Sequence, residues 1–390
     1  MRPVPVTSLR QSRPTALLAA LSIALSACGV SAPAVAPSTA PSAALSAAPS
    51  AAASIRVVAT SLAPSPSPTP TIRPGEQWIA YQCWRQCGPG FRIMLVRPDG
   101  TGDHWALPSV PGDQLHPDWS PDGMKLTFFD GNAIWTADVD GANARAVYTC
   151  QAPCHDIDSP AWSPDGRSIA FNRYDDVDGR AVARIETVDP MTGATRTVLD
   201  SPGPAYPFYI RWAPDGRSLV VDLERYLNTL YDTKAETGAA IAVVDLTAKP
   251  PTMHRLTDWP LYATYPDWSP TGDRIVFSTF DLGARDGGGV LPDPSQPSDL
   301  YTIRPDGSGL TQVTHNPHGS TLVRNGTASG PLSTQPTWAP DGRSIIFVQV
   351  DGDTWPGWET STIRPDGTGF GPAPSSGFHF GTHPRLRPTP

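Results

Sequence analysis

A five-residue motif, Trp-Ser/Ala-Pro-Asp/Thr-Gly, recurs five times in this 390-residue chain and constrains its folding more than any other feature. It begins at Trp119, Trp162, Trp212, Trp268 and Trp338, and an apolar residue follows seven positions after each Trp: Leu126, Ile169, Leu219, Ile275 and Ile345. Pro presets φ at the first turn corner, Asp suits the second, and Gly accepts the positive φ that closes the turn. Short β-prone runs flank each turn, so each motif predicts a hairpin, with the Trp on the strand before the turn. A second turn follows in each unit, as in Arg97-Pro98-Asp99-Gly100, Asp138-Val139-Asp140-Gly141, Asp189 to Gly193, Arg304-Pro305-Asp306-Gly307 and Arg364-Pro365-Asp366-Gly367. A looser turn follows Ile241 to Leu246. Two hairpins make four strands, and four-stranded units in tandem predict propeller blades.

The ends of the chain set the count. Ile79-Ala80-Tyr81 precedes Arg97 with no Trp motif ahead of it, while His383-Pro384-Arg385-Leu386 parallels His116-Pro117-Asp118-Trp119 but is never completed. The expected fold is therefore all-β: a six-bladed β-propeller of four-stranded blades over residues 74–390. The C-terminal strand completes the N-terminal blade, which removes the exposed edges of an open ring. Five Trp at one repeat position are expected to pack blade against blade rather than to face a ligand.

These repeats resemble those of the TolB-type (WD-like) propeller family, which also occur in the propellers of prolyl-oligopeptidase relatives. The resemblance covers nearly everything after residue 73 and implies the fold; it does not fix a function. TolB itself has a small α/β domain ahead of its propeller, which is not apparent in this sequence, and the hydrolase elbow G-x-S-x-G of the peptidases does not occur.

Residues 1–28 read as an export signal. Arg2, Arg10 and Arg13 precede an apolar run, Ala16 to Ala24, too short to span a bilayer. Leu25-Ser26-Ala27-Cys28 resembles a bacterial lipobox, which implies lipidation of Cys28 and a stable anchor once two or more acyl chains are attached. The alternative is an ordinary signal peptide cleaved near Ala32-Pro33-Ala34. Residues 29–73 are Ala-, Ser- and Pro-rich and cannot bury enough apolar surface to offset their ordering entropy. They predict a disordered tether whose ends lie roughly 35–40 Å apart as a flexible coil. The expected location is the outer face of the cytoplasmic membrane or the cell envelope, with the membrane as one partner through Cys28. A net charge of −8 without a Lys/Arg cluster argues against nucleic acid.

Besides Cys28, four cysteines remain: Cys83, Cys87, Cys150 and Cys154. An even number in an exported chain reads as two disulfides of open connectivity. A zinc site using all four thiolates is the alternative, although the two pairs fall in different blades.

The short turns share one face of the ring, so function is expected on the other, where longer loops lie at Glu224–Gly238, Thr279–Asp299, His315–Thr334 and Asp351–Trp358. Trp355 and Trp358 are candidate contact aromatics, or pack within their own loop. A sharper constellation lies three residues before each inner-strand Trp position: His383, His116, Ser159, Tyr209, Tyr265 and Gln335. Ring closure puts Gln335, His383 and His116 on consecutive blades, with His315 and His318 in the connection entering that sector. Such imidazoles and an amide suit a divalent metal, or else cap strands and hold channel water. A similar His/Gln arrangement occurs in propeller-type oligogalacturonate lyases, which have seven blades. Asp175-Asp176-Val177-Asp178-Gly179 matches only half of a calcium-loop register and reads as a solvated hairpin tip. The sequence thus supports a monomeric, non-catalytic scaffold without a cofactor that docks a protein, peptide or glycan through His116, Tyr209, Tyr265, Gln335, Trp355, Trp358 and His383. The alternative is a metal-dependent polysaccharide lyase or hydrolase using His116, Gln335 and His383.

Overall fold

The computed structural model describes residues 72–388 except 74, 85–86, 88–89, 179, 202–204, 226–237, 280–297, 317–321, 325–326, 330–331, 351–357 and 373–380. Cys28, the signal, nearly all of the tether, His318, Trp355 and most of the Thr279–Asp299 loop lie outside the described residues. Trp358 is described only as a strand position paired with Val350.

Six four-stranded antiparallel sheets form the blades. Their inner strands are Gly381–Leu386, Leu115–Trp119, Cys154–Trp162, Ala205–Trp212, Ala263–Trp268 and Leu332–Trp338, for blades 1 to 6. Blade 1 is closed as expected: Gly381–Leu386 pairs antiparallel with Ile79–Trp84, Leu386 opposite Ile79. That is the register in which Trp119 faces Leu126 in blade 2. A two-stranded ribbon, Leu322–Arg324 with Thr327–Ser329, lies in the connection between blades 5 and 6.

The hairpin chemistry is visible atom by atom at Trp119–Gly123. Gly123 N–H donates to Ser120 O at 2.8 Å, and Ser120 Oγ donates to Asp122 Oδ1 at 2.6 Å. Asp122 Oδ1 also accepts from Met124 N–H at 3.0 Å, and Gly123 has φ 65°. Polar side chains thereby take up backbone donors that the sharp reversal leaves unpaired.

The core consists of apolar wedges between neighbouring blades. Trp119, Trp162, Trp268 and Trp338 are buried in four of the wedges, each with the apolar residues of its own second strand, and Trp212 packs half-buried in another. Trp119 Nε1 reaches back to Arg385 O of blade 1 (3.0 Å), and Trp212 Nε1 to Ala161 O of blade 3 (3.1 Å). The motif tryptophans are therefore blade-to-blade packing, as expected. The wedge at the closing seam, between blades 6 and 1, is the thinnest among the described residues: Ile79, Tyr81, Cys83, Val96 and Ile346. Leu386 stands there in the Trp position.

One residue reinforces the ring near this seam. Arg387 follows Leu386 where other blades have Ser or Ala, and it is 2 % exposed. Its guanidinium donates to Gly123 O (2.7 Å), Arg73 O (2.7 Å) and Glu76 O (3.0 Å), tying both chain ends to blade 2. A planar fork with several donors suits three divergent carbonyls, where an ammonium would not.

The cysteines form two disulfides, Cys83–Cys87 and Cys150–Cys154, with Cα separations of 6.0 and 5.4 Å. With both pairs bridged, the thiolate zinc reading does not apply. Cys83 lies near the loop end of the second strand of blade 1, Ile79–Trp84, and Cys150 lies in the connection from blade 2 to blade 3, so both brace the loop face. One expectation is corrected. Asp175 is not solvated: it is wholly buried, accepts from Arg173 Nε at 2.7 Å and pairs with Arg184, within a strand that runs to Val177. Only Asp176 to Asp178 are exposed.

Replacing Arg387 by Met, which keeps the buried stem but removes three charged hydrogen bonds, is expected to cost about 2–3 kcal/mol. Urea unfolding of Arg387→Met checks this. The exposed Arg343→Met on the equivalent turn of blade 6 should stay within about 0.5 kcal/mol of the parent.

Candidate functional site

Each inner strand is interrupted at the same place. His116, Ser159, Tyr209, Tyr265, Gln335 and His383, three residues before the Trp position, all have positive φ, between 46° and 54°. The pairing register slips around each of them, as between Leu115 and Asp118 or between Thr264 and Asp267. Five of the six are followed by Pro (117, 160, 266, 336 and 384), which bars the right-handed helical region to the preceding residue. The inner strand has a partner on one side only, so the missing Pro N–H leaves no ladder bond unmade. A left-handed non-Gly residue costs about 1–2 kcal/mol, and six at equivalent positions mark a built feature.

The six residues meet on the axis. The His116 and His383 rings lie 4.1 Å apart between centroids, Tyr209 and Tyr265 4.2 Å, His116 and Tyr209 5.4 Å, and Tyr265 and His383 5.8 Å. Tyr209 Oη donates to Tyr265 Oη at 3.3 Å, Gln335 hydrogen-bonds the Tyr265 side chain, and Ser159 Oγ is 3.5 Å from His116 Nδ1. The side chains thus floor the channel on the side of the loops, since each inner strand runs from the loop face to its Pro-Asp-Gly turn.

Neighbouring blades also hold the strained backbone. His116 N–H donates to Gln82 Oε1 of blade 1 at 3.1 Å, and Tyr209 N–H to Ser159 Oγ of blade 3 at 3.2 Å. Tyr265 N–H donates to Asp222 Oδ2 of blade 4 at 3.0 Å, and His383 N–H to Gln335 Oε1 of blade 6 at 2.7 Å. Each bond crosses a blade interface, so the floor links the ring at its centre.

Charges lie on both sides of this floor. Toward the turns, Asp118 accepts from Trp162 N–H and Asp267 from Trp338 N–H, both at 2.8 Å, with buried Arg211 between them electrostatically. Desolvation raises the Asp118 carboxyl and pushes Asp267 up to about 6, against the opposing pull of Arg211. Toward the loops, blades 3 and 4 contribute Asp158, Asp222 and Glu224. Asp158 pairs with His116 Nδ1 at 2.7 Å. Desolvation, aided by Asp158, pushes Glu224 up to about 8; desolvation and the nearby Glu224 raise Asp222 strongly. The His383 imidazole is held well below its ordinary range by desolvation and by the adjacent His116, and both its ring nitrogens are buried without a hydrogen-bond partner.

The arrangement limits the chemistry. Ser159, His116 and Asp158 look like a nucleophile, base and orienting acid, but serine and carboxylate both address Nδ1. A triad needs them on opposite ring nitrogens. The His116 and His383 rings lie against one another, tilted by 36° with centroids 4.1 Å apart. No group of three or more His, Cys, Asp or Glu side chains suited to a metal occurs among the described residues.

The structure therefore brings together His116, Tyr209, Tyr265, Gln335 and His383, while His315 is exposed in its connection. Asp158, Asp222, Glu224, Asn172 and Arg211 escaped the sequence reading. A polar residue within an otherwise apolar second strand was the available signal, as in Leu219-Val220-Val221-Asp222-Leu223-Glu224.

No family model matches the chain. Its fold is that of TolB from Acinetobacter baumannii, with a TM-score of 0.55 and 17 % identity over 80 % of this chain and 66 % of that one. An Agrobacterium tumefaciens protein assigned to TolB superposes with a TM-score of 0.50 and 19 % identity over 78 % of this chain and 90 % of that one. By sequence, an uncharacterised protein of Agrobacterium fabrum, Atu1656, is 23 % identical over 61 % of this chain and 67 % of its own length. The chain spans just under two thirds of the Acinetobacter TolB structure. These likenesses show the TolB-like propeller fold.

A carboxyl raised in the folded state binds a proton that the unfolded chain releases, so stability falls as pH rises from the unfolded value toward about 8. His383, with its lowered value, acts in the opposite sense only below its unfolded value of roughly 6.5. Between pH 6.5 and 8 the protein should therefore lose stability, and Glu224→Gln should flatten that loss by about 1 kcal/mol. Urea unfolding of both proteins across this window checks it.

Proposed function

We propose that this chain is a cell-envelope lipoprotein that serves as a non-catalytic binding scaffold, docking a ligand at the loop-side mouth of its propeller. One observation carries the reading: six equivalent side chains, one per blade, close the axis below that mouth and leave buried polar groups without partners. A floored mouth gives a ligand a rigid base with unfilled hydrogen-bonding capacity, which favours recognition. The serine and carboxylate competing for one His116 nitrogen weigh against a nucleophilic enzyme, and the lack of a metal-suited group among the described residues favours the scaffold over the metal-dependent lyase alternative. Cys28 and residues 29–73 would tether the domain to its membrane.

A photo-crosslinker in place of exposed His155, beside Tyr174 on the loop face, tests the reading in cells. It should capture a discrete envelope partner, whereas one in place of Asp341 on the turn face should not. Capture from Asp341 alone would overturn the placement. Turnover of an acidic glycan that is lost in His116→Ala would replace the scaffold with the lyase. Cys28→Ala is expected to shift the protein from membrane to soluble fractions, and unchanged retention would end the lipobox reading.

A further inference from the structure

The mouth above the floor is electrically lopsided. Among the described residues, blades 3 and 4 bring three carboxyls to its loop side, Asp158, Asp222 and Glu224, near enough that Asp158 raises Glu224 and that Glu224 and Asp158 raise Asp222. Asp158 is committed to His116. Asp222 is 0 % exposed, spends Oδ2 on the Tyr265 amide, and leaves Oδ1 buried with no partner. Asn172, also 0 % exposed, leaves both its amide oxygen and nitrogen unpartnered. The pairing register makes Asn172 the counterpart of Asp222: Asn172 lies opposite Asp158, and Asp222 opposite Phe208. Two residues further toward the mouth stand Tyr174 and Glu224, likewise equivalent. Alternation along a strand puts each pair on one face, and Tyr174 feels the charges of Asp158, Glu224 and Asp222.

The unfilled groups are chiefly acceptors: Asp222 Oδ1, the Asn172 oxygen and one nitrogen of neutral His383, with the half-buried Glu224 carboxyl beside them. A buried acceptor without a donor costs about 1–3 kcal/mol, so several in one place call for a donor-rich occupant. The tyrosines Tyr174 and Tyr209 provide aromatic surface beside the carboxyls, which suits a cation. A primary ammonium has three donors, no acceptor and a positive charge.

We propose that the loop-side mouth binds a primary ammonium group, seated between Asp222 and Glu224 with the channel floor beneath it. This deepens the scaffold reading and rests on it for the location of the ligand. A lysine side chain and a free amino terminus offer the same group. Binding draws the Glu224 carboxyl into its charged form and releases its proton to solvent. Of the groups facing Glu224 and Asp222, Asp158 and the raised tyrosines oppose that ionisation, while the bound cation favours it. An ammonium keeps its proton to about pH 10, so affinity should climb as pH rises toward and past 8.

Calorimetric titration of the full-length protein with n-butylammonium and with uncharged n-butanol tests this. Butylammonium should bind, butanol should not, and affinity at pH 8.5 should exceed that at pH 6.5 by about tenfold, with proton release. Asp222→Asn keeps the oxygen that accepts from Tyr265, and Glu224→Gln keeps the shape, so both should unfold cooperatively like the parent while losing at least about tenfold in affinity. Nα-acetyl-lysine methylamide and alanine methylamide then tell a side-chain ammonium from a terminal one. No binding of butylammonium, equal binding of butanol, or undiminished binding by both folded variants would overturn the proposal, leaving the empty acceptors to ordered water. The crosslinker at residue 155 separates the two readings. A captured partner without ammonium binding sinks this proposal alone, and ammonium binding without a captured partner sinks the scaffold.

Discussion

A propeller blade has one edge that no other strand can cover. The innermost strand pairs outward with its neighbour, and its other edge faces the axis, where six such edges crowd together. Exposed strand edges are a hazard that proteins manage explicitly. Here the management is uniform. A left-handed residue bends each inner strand, a Pro follows in five of six, and four of the bent residues give their N–H to a side chain from the preceding blade. The bend and the Pro turn the inner edge away from strand pairing and toward the axis, where the six side chains meet. The channel floor follows from this constraint, and the polarity of the mouth follows from which side chains occupy it.

Much of this was legible in the chain. The Trp-Ser-Pro-Asp-Gly spacing gave the hairpins, and the incomplete His383-Pro384-Arg385-Leu386 gave the closure, because a ring needs its last strand from somewhere. The six axial positions could be named by counting back three residues from each Trp. Their left-handed conformation could not, because the pattern X-Pro excludes one region of φ/ψ space without choosing among the rest. Asp158, Asp222 and Glu224 escaped for a different reason. Their residue types do not recur from blade to blade at those repeat positions, and they come from two different strands, so only the assembled interface of blades 3 to 5 shows them as neighbours. Asp175 misled because acidic runs usually sit at solvated tips. The strand continues past it, and Arg173 and Arg184 reach back to neutralise it.

Crowding three carboxyls on one side of a mouth, Asp158 and Asp222 buried, would be prohibitive if all stayed charged and unpaired. The structure handles them differently. Asp158 lies 2.7 Å from His116 Nδ1 and so has a partner. Asp222 and Glu224 take the other route and hold protons at pH values where solvent-exposed carboxyls have lost theirs. Toward the turns, Arg211 stands between Asp118 and Asp267, so that layer is partly compensated. The axial floor therefore separates a compensated layer, suited to holding blades together, from an uncompensated one, where the proposed ammonium would act.

Closure of this ring and the recognition proposed for its mouth fall on opposite sides of it. The thin seam between blades 6 and 1 depends on Leu386 with Arg387 beside it, while the carboxyl sector belongs to blades 3 and 4, across the axis in a six-membered ring. Side chains this far apart with no shared partners are expected to act independently on stability. His383 is the exception. It sits on the closing strand, donates its N–H to Gln335 Oε1 of blade 6, and places its ring against His116, Tyr209 and Tyr265. A change in how the last strand seats would move that ring first. The strand that completes the fold thereby supplies part of the floor on which recognition would occur, and closing the ring and shaping the mouth become one event at this residue.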